Sequence, residues 1–171
     1  MRYLTELLNK THSIENFNCD DATLDNYIRH LAQQDVKRKL SICFVWSISN
    51  KNVIGYYTLS TSSIKKSSLP HDISKKLPKA YIDLPVILIG RFALDKGLQN
   101  KGNGIVLLSD ALQRCYDLTE DTLGSVAVVI DPKNQIARNF YKKHGFIELH
   151  DSKRMMITMK TIQKLIRDEN Y

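Results

Sequence analysis

Six residues, Gln99-Asn100-Lys101-Gly102-Asn103-Gly104, have the make-up of an anion cradle. Two glycines among polar residues let backbone N–H groups come close to a bound group. Ahead of them runs an apolar stretch from Val86 to Leu94. Behind them Ile105, Leu108, Ala111, Leu112 and Cys115 fall at helical spacing. The pattern is strand, Gly-punctuated loop, amphipathic helix. A loop feeding a helix N-terminus presents N–H groups without intrahelical partners and the positive end of the helix dipole, which together hold a phosphate or pyrophosphate. The same pattern also serves as an ordinary strand-to-helix turn, because Gly commonly punctuates such turns. No Gly-Lys-Ser/Thr closes it, as a P-loop would require, and its glycine spacing is not that of a dinucleotide fingerprint.

The elements that must carry this loop can be read on either side of it. Asp20-Asp21-Ala22-Thr23 opens a helix with acids at its N-terminal end, and Leu24, Tyr27, Ile28 and Leu31 give it an apolar stripe, so a helix is predicted to about Lys39. Ser41–Ser47 reads as a strand, Ser49–Asn52 as a turn and Val53–Ser62 as a second strand paired in a hairpin. Residues 63–85, with three prolines and five lysines, read as a loop holding one short helix. A strand over 86–94 precedes the Gly loop, and the following helix runs to about Leu118. Ser125–Ile130 is a buried strand, and Asn134–His144 a helix stopped by Gly145. Phe146–Leu149 and Arg154–Lys160 are strands, and Thr161–Asp168 a last helix. The class is α/β, a mixed and mostly antiparallel sheet with a β-loop-α-β core.

The totals narrow the function. A chain of 171 residues with 43% hydrophobic and 25% charged residues is expected to form one domain over 1–171. No window approaches the roughly 18 apolar residues of a membrane span, and Glu6 interrupts any secretory leader, so no membrane partner is expected. Cys19, Cys43 and Cys115 are odd in number and far apart, with no CxxC pair and no Cys/His metal spacing, which suggests a reduced, cytoplasmic, metal-free protein. The net charge is +7, and residues 37–79 alone hold nine Lys or Arg against Asp72, a local excess of +8. Segregated positive charge attracts polyanions, although a merely solvated basic face has the same composition.

Four segments carry a resemblance. They are Phe17–Ile28, Gly55–Ser60, Leu88–Asp95 with the Gly loop after it, and Asn134–Phe146. In this order they resemble the GNAT-superfamily N-acetyltransferases, and more narrowly the tRNA-acetylating toxins of type II toxin–antitoxin pairs. Asn100 stands where such toxins often have Gly, and Asn tolerates positive φ better than most residues. The resemblance implies a twisted sheet in which two parallel strands, 86–94 and 125–130, splay apart, and acetyl-CoA as cofactor. Phe92, Ala93 and Leu94 would offer backbone groups to its pantetheine arm, and Gln99, Asn100, Lys101, Gly102, Asn103 and Gly104 would wrap its pyrophosphate. Asn134 is either a further cofactor contact or a helix N-cap, or both. Tyr141 is the expected catalytic residue, a phenol placed to protonate the departing CoA sulfur, with a core tyrosine beside Phe140 as the plainer reading. His144 fits a helix end better than a general base. Arg91 either binds the tRNA acceptor end or pairs with a carboxylate. Lys37, Arg38, Lys39, Lys65 and Lys66 are expected on the tRNA backbone. The implied reaction is acetylation of an aminoacyl-tRNA on its free amino group, which blocks translation. The competing readings are a GNAT enzyme acting on a protein lysine, an N-terminus or a small amine, and a nucleic-acid-binding module without catalysis. The implied partners are the tRNA, a cognate antitoxin of the small ribbon-helix-helix kind and a second copy of the chain.

Overall fold

The computed structural model of the chain describes residues 3–150 and 152–168. Seven strands, β1 (Glu6–Leu7), β2 (Ile42–Ile48), β3 (Asn52–Lys65), β4 (Asp83–Leu94), β5 (Ala127–Ile130), β6 (Ile147–Glu148) and β7 (Met155–Thr158), lie in the order β1-β2-β3-β4-β5-β7-β6. The sheet is mostly antiparallel with one parallel pair and is flanked by helices, the class expected from the sequence. Among the described residues no helix is long and apolar enough to cross a membrane. The chain forms two compact units, Met1–Ser60 with Ile89–Arg114, and Thr61–Leu88 with Cys115–Tyr171.

In the first unit β2 and β3 pair antiparallel, with Phe44 opposite Tyr57 and Val45 opposite Tyr56, and β1 adds to the outer edge of β2. Side chains alternate across the strands, so Cys43, Val45 and Tyr56 face one way and Phe44 and Tyr57 the other. The first face is covered by a helical rod. Asp21 caps it, its carboxylate accepting from the N–H groups of Thr23 (2.9 Å) and Leu24 (3.2 Å). The rod is not the single α-helix the periodicity predicts. It runs as α1 (Ala22–Asn26), one turn of π-helix over Tyr27–Leu31, and α2 (Ala32–Lys37). It ends where Lys39 turns left-handed (φ 62°) and the N–H groups of Lys39 and Leu40 donate to the carbonyls of Val36 and Asp35. Tyr27, Ile28 and Ala32 bury their side chains against Cys43, Val45, Val53 and Tyr56.

The N-terminal half of α4 (Asn103–Asp121) belongs to the same unit. A Cβ at Gly55 would meet Leu94 Cδ1 at 3.1 Å and Leu107 Cδ2 at 3.2 Å, so the close approach of β3 to this helix requires glycine there. Asp110 and Arg114, one turn apart on α4, hold a buried polar network. Asp110 Oδ2 accepts from the hydroxyls of Thr5 (2.5 Å) and Tyr57 (2.7 Å), and its Oδ1 accepts from the N–H groups of Leu4 (2.6 Å) and Thr5 (3.2 Å). Arg114 donates to Tyr57 Oη (3.0 Å) and to the Thr5 carbonyl (2.9 Å), with Tyr3 and Phe44 rings against its guanidinium. This network ties the segment leading into β1 to α4.

The second unit is built on β5 and β7, paired antiparallel with Val128 opposite Ile157, and on β6 beside β7. Its core joins Ile64 from β3, Leu84 and Val86 from β4, Ala127 and Val129 from β5, and Met156 from β7. Between β3 and β4 lies the short helix α3 (His71–Ser74), as expected for residues 63–85. α5 (Gln135–Lys143) and α6 (Met159–Asp168) complete it.

Candidate active site

β4 delivers the Gly loop. Its last residues, Ala93 and Leu94, are buried, and Phe92 is half-buried. After Leu94 the chain is clamped from both sides. The Asp95 N–H donates to the Ile54 carbonyl (2.8 Å), and the Asp95 carboxylate accepts from the N–H groups of Asn18 (3.2 Å) and Gly97 (2.9 Å). The Lys96 N–H donates to the Asn18 carbonyl at 2.8 Å. The Gln99 side-chain amide donates to the carbonyls of Cys19 (3.0 Å) and Leu94 (2.8 Å), and Asn103 Nδ2 donates to the Leu98 carbonyl (3.0 Å). Lys101 Nζ reaches the Gly97 carbonyl at 2.7 Å. The polar side chains of Gln99, Lys101 and Asn103 therefore shape the loop, and the backbone is what it offers to a ligand.

Asn100 (φ 58°) and Gly102 (φ 82°) are both left-handed, on either side of Lys101. Residues alternating in this way curl the backbone into the concave turns that gather N–H groups around anions. Asn100 holds the left-handed conformation that an Asn side chain tolerates. A Cβ on Gly102 would meet nothing within 4 Å, so the space on that side of the loop is open. The loop then enters α4, 19 residues long, whose first N–H groups have no intrahelical acceptor. An open, curled, Gly-bearing backbone at the N-terminus of a long helix fits the pyrophosphate of acetyl-CoA, with Phe92–Leu94 the adjoining strand.

Arg91 lies one residue before that stretch. Its guanidinium carbon stands 3.6 Å from the centre of the Tyr27 ring, and its N–H donates to Thr58 Oγ1 (3.0 Å). Of the two alternatives set out for Arg91, pairing with a carboxylate is not seen among the described residues. A tyrosine face holds it, and the Tyr27 hydroxyl is in turn held by Asp35 (3.1 Å) and Ser41 (3.2 Å). Tyr27, on the π-helical turn, was not a predicted site residue, and no sequence pattern announces a π-turn.

α5 carries the expected catalytic phenol. Asn134 is its N-cap, with Oδ1 accepting from the Ala137 N–H at 2.8 Å, so the capping reading of Asn134 holds. At the other end Gly145 is left-handed (φ 89°), Phe146 N–H donates to the Tyr141 carbonyl (3.1 Å) and Gly145 N–H to that of Lys142 (3.3 Å). This is a Schellman stop, and the apolar contact that usually accompanies it is Tyr141 against Phe146, with ring centres 5.4 Å apart. Phe140 packs edge-on at 5.2 Å. The helix stop thus orients the Tyr141 ring. The side chain is buried, and burial raises its pKa above the ordinary phenol value, so the hydroxyl keeps its proton. His144 sits at the C-cap against Phe140, and burial, then the Lys143 charge, lowers its pKa. A helix-end position is where the sequence placed it.

The five basic residues separate into two groups. Lys37, Arg38 and Lys39 are exposed at the end of α2. Lys65 pairs with Asp83 at 2.7 Å, and Lys66 Nζ donates to the carbonyls of Leu77 (3.0 Å) and Pro78 (2.7 Å). The charge of Lys66 is spent inside its own loop. The three cysteines are free and buried, and burial pushes the Cys19 and Cys43 thiols up to about 12, which removes them as nucleophiles.

Comparison with known proteins assigns the class. The model of the acetyltransferase (GNAT) family matches residues 2–146. The tRNA-acetylating toxin of Mycobacterium tuberculosis (strain ATCC 25618 / H37Rv) is 31% identical over 156 residues, 91% of each chain. A structure of AtaT complexed with acetyl-methionyl-tRNAfMet superposes with a TM-score of 0.87 at 25% identity, covering 95% of this chain and 98% of that one. A mutant AtaT toxin bound to the C-terminus of the antitoxin AtaR and acetyl-CoA has a TM-score of 0.78 at 22% identity, covering 98% and 99%, a likeness of fold. The chain belongs to the GNAT acetyltransferase family. It is an acetyl-CoA-dependent acyltransferase.

Proposed function

We propose that this enzyme acetylates the free α-amino group of an aminoacyl-tRNA and so acts as a translation-blocking toxin. The observation that carries the reading is the match, over 91% of both chains, to a relative named for tRNA acetylation. The exposed cations Lys37, Arg38 and Lys39 support a polyanionic substrate. When bound, acetyl-CoA supplies the thioester carbonyl that the amine attacks. The backbone of residues 99–104 binds and orients the pyrophosphate, and Phe92–Leu94 offer strand N–H and C=O groups to the arm that leads from it. Tyr141 Oη holds its proton for the departing sulfur, and the proton that the attacking nitrogen loses as the amide forms restores the phenol. The attacking α-amino group has a pKa near 8, so much of it is neutral at working pH and no strong base is required of the protein.

A cognate antitoxin of the small ribbon-helix-helix kind, a homodimeric state and a cytoplasmic location complete the proposal. Labelled acetyl-CoA offered together with separated pools of aminoacyl-tRNA, protein and small amines tests it. Label is expected in the aminoacyl-tRNA pool. Label confined to protein or to small amines would replace this reading with the alternative GNAT activity.

A further inference from the structure

The connection between β3 and β4 is held in shape from within. Lys66 ties it across, its Nζ to the carbonyls of Leu77 and Pro78 and its N–H to the Ile82 carbonyl (2.8 Å). Leu69 is buried, and Ile73 and Leu77 pack on the core of the second unit. The acids are already engaged, Asp72 with Lys75 at 2.9 Å and Asp83 with Lys65. What remains faces outward. Lys76 and Lys79 are exposed and, among the described residues, stand in no ion pair. Tyr81 is 56% exposed and Ile82 72%. An aromatic ring left in water on an ordered loop, two residues after one unpaired cation and five after another, is the composition of a stacking platform. Nucleobases lie on such rings whatever their identity, and flanking ammonium groups take the phosphates.

We infer that the loop 75–82 binds single-stranded RNA, with an unpaired base stacked on Tyr81 and the neighbouring phosphates on Lys76 and Lys79. The inference rests on the proposed RNA substrate and moves part of the contact away from Lys65 and Lys66, whose charges are neutralised or used internally. A duplex keeps its base faces stacked on each other and offers Tyr81 none. An acidic peptide satisfies the lysines and leaves the ring without a planar partner.

Fluorescence anisotropy with a short labelled single-stranded RNA, the same sequence as a duplex, and an acidic peptide tests it on the full chain. Tyr81→Ala should weaken single-strand binding roughly tenfold, and Tyr81→Phe should keep it, because stacking needs the ring and not the hydroxyl. Lys76→Gln with Lys79→Gln should flatten the salt dependence. In kinetics Tyr81→Ala should raise the KM for aminoacyl-tRNA with kcat nearly unchanged, and leave acetyl-CoA affinity untouched. Equal single-strand binding by Tyr81→Ala, or binding of the peptide alone, would overturn the inference. If the wild type acetylates aminoacyl-tRNA while Tyr81→Ala matches it in every parameter, the platform fails and the proposed function stands. If the wild type binds single strands through Tyr81 but acetylates no aminoacyl-tRNA, the function fails and the platform stands.

Discussion

The side-chain amide of Gln99 reaches the carbonyl of Cys19, 80 residues earlier in the chain, and with its second hydrogen bonds the carbonyl of Leu94. One side chain thereby joins the end of β4, the start of the first helical rod and the Gly loop. Gln99→Ala removes both bonds, each worth about 0.5–1.5 kcal/mol net. The expected result is an acetyl-CoA Kd raised about tenfold by calorimetry, with the melting temperature lowered by several degrees. An unchanged Kd would show that the loop keeps its curl without the clamp.

Tyr141→Phe keeps the ring against Phe140 and Phe146 and removes only the hydroxyl. Acetyl transfer should fall about 10²–10⁴-fold, the usual worth of a general acid, while acetyl-CoA binding and thermal stability hold. Burial raises the phenol above its ordinary value of 10.0, so it stays protonated over the range in which the amine becomes neutral. The rate should therefore climb with pH and level off, without an alkaline fall below about pH 10, the ordinary phenol pKa. Full activity in the Phe variant would falsify the role of Tyr141.

The two groups of basic residues should behave differently. Replacing Lys37, Arg38 and Lys39 by Gln should weaken tRNA binding and lower its salt slope by up to about three, roughly one for each lost phosphate contact. Lys66→Gln should instead lower the melting temperature by a few degrees, because it unfastens Leu77 and Pro78 at a cost of about 1 kcal/mol. Thermal melts and salt titrations of the two variants separate these effects.

Much of this was legible before the structure. The apolar stripe of α4, the Gly loop, the caps at Asn134 and Gly145 and the apolar run of β5 are local signals, each set by residues within a turn or two. β1 was not legible, since Glu6 and Leu7 are strand residues only because β2 lies beside them. β4 begins at Asp83 and not after Pro85, because a proline in a strand interior reads as a boundary. In β4, Pro85 still accepts at its carbonyl from the Val126 N–H. The two fates of the lysines depend on which carbonyls and carboxylates come close in space, and spacing along the chain does not reveal that. Asp110 and Arg114 did leave a trace, two charges one turn apart on the otherwise apolar side of α4.

Asp110 accepts four hydrogen bonds while buried, and none of them comes from a group that can turn acceptor without loss elsewhere. Asp110→Asn sets an NH2 against donors and should cost about 1–3 kcal/mol. Urea unfolding should report the loss, and proteolysis should cut first near residues 3–8 as the segment before β1 comes loose.

Glu6 gives a pH signature. The Lys51 ammonium first, then His12, hold its carboxylate at about 2 against an ordinary 4.5. The folded state thus prefers the charged form more than the unfolded state does. Its contribution is complete above about pH 4.5 and disappears as pH falls toward 2. Glu6→Gln should flatten the pH dependence of stability in that window, measured by melts at stepped pH. An identical dependence in the two proteins would show that other carboxylates govern acid unfolding.

The unit that holds the Gly loop is completed by Arg114, whereas Tyr141 belongs to chain added afterwards. During synthesis the Gly loop emerges from the ribosome before Tyr141 does. Under the proposed function, whatever step Tyr141 performs therefore waits until the second unit has been made. The order of the elements serves as a timer, and a permuted chain that presents α5 first would lose this delay.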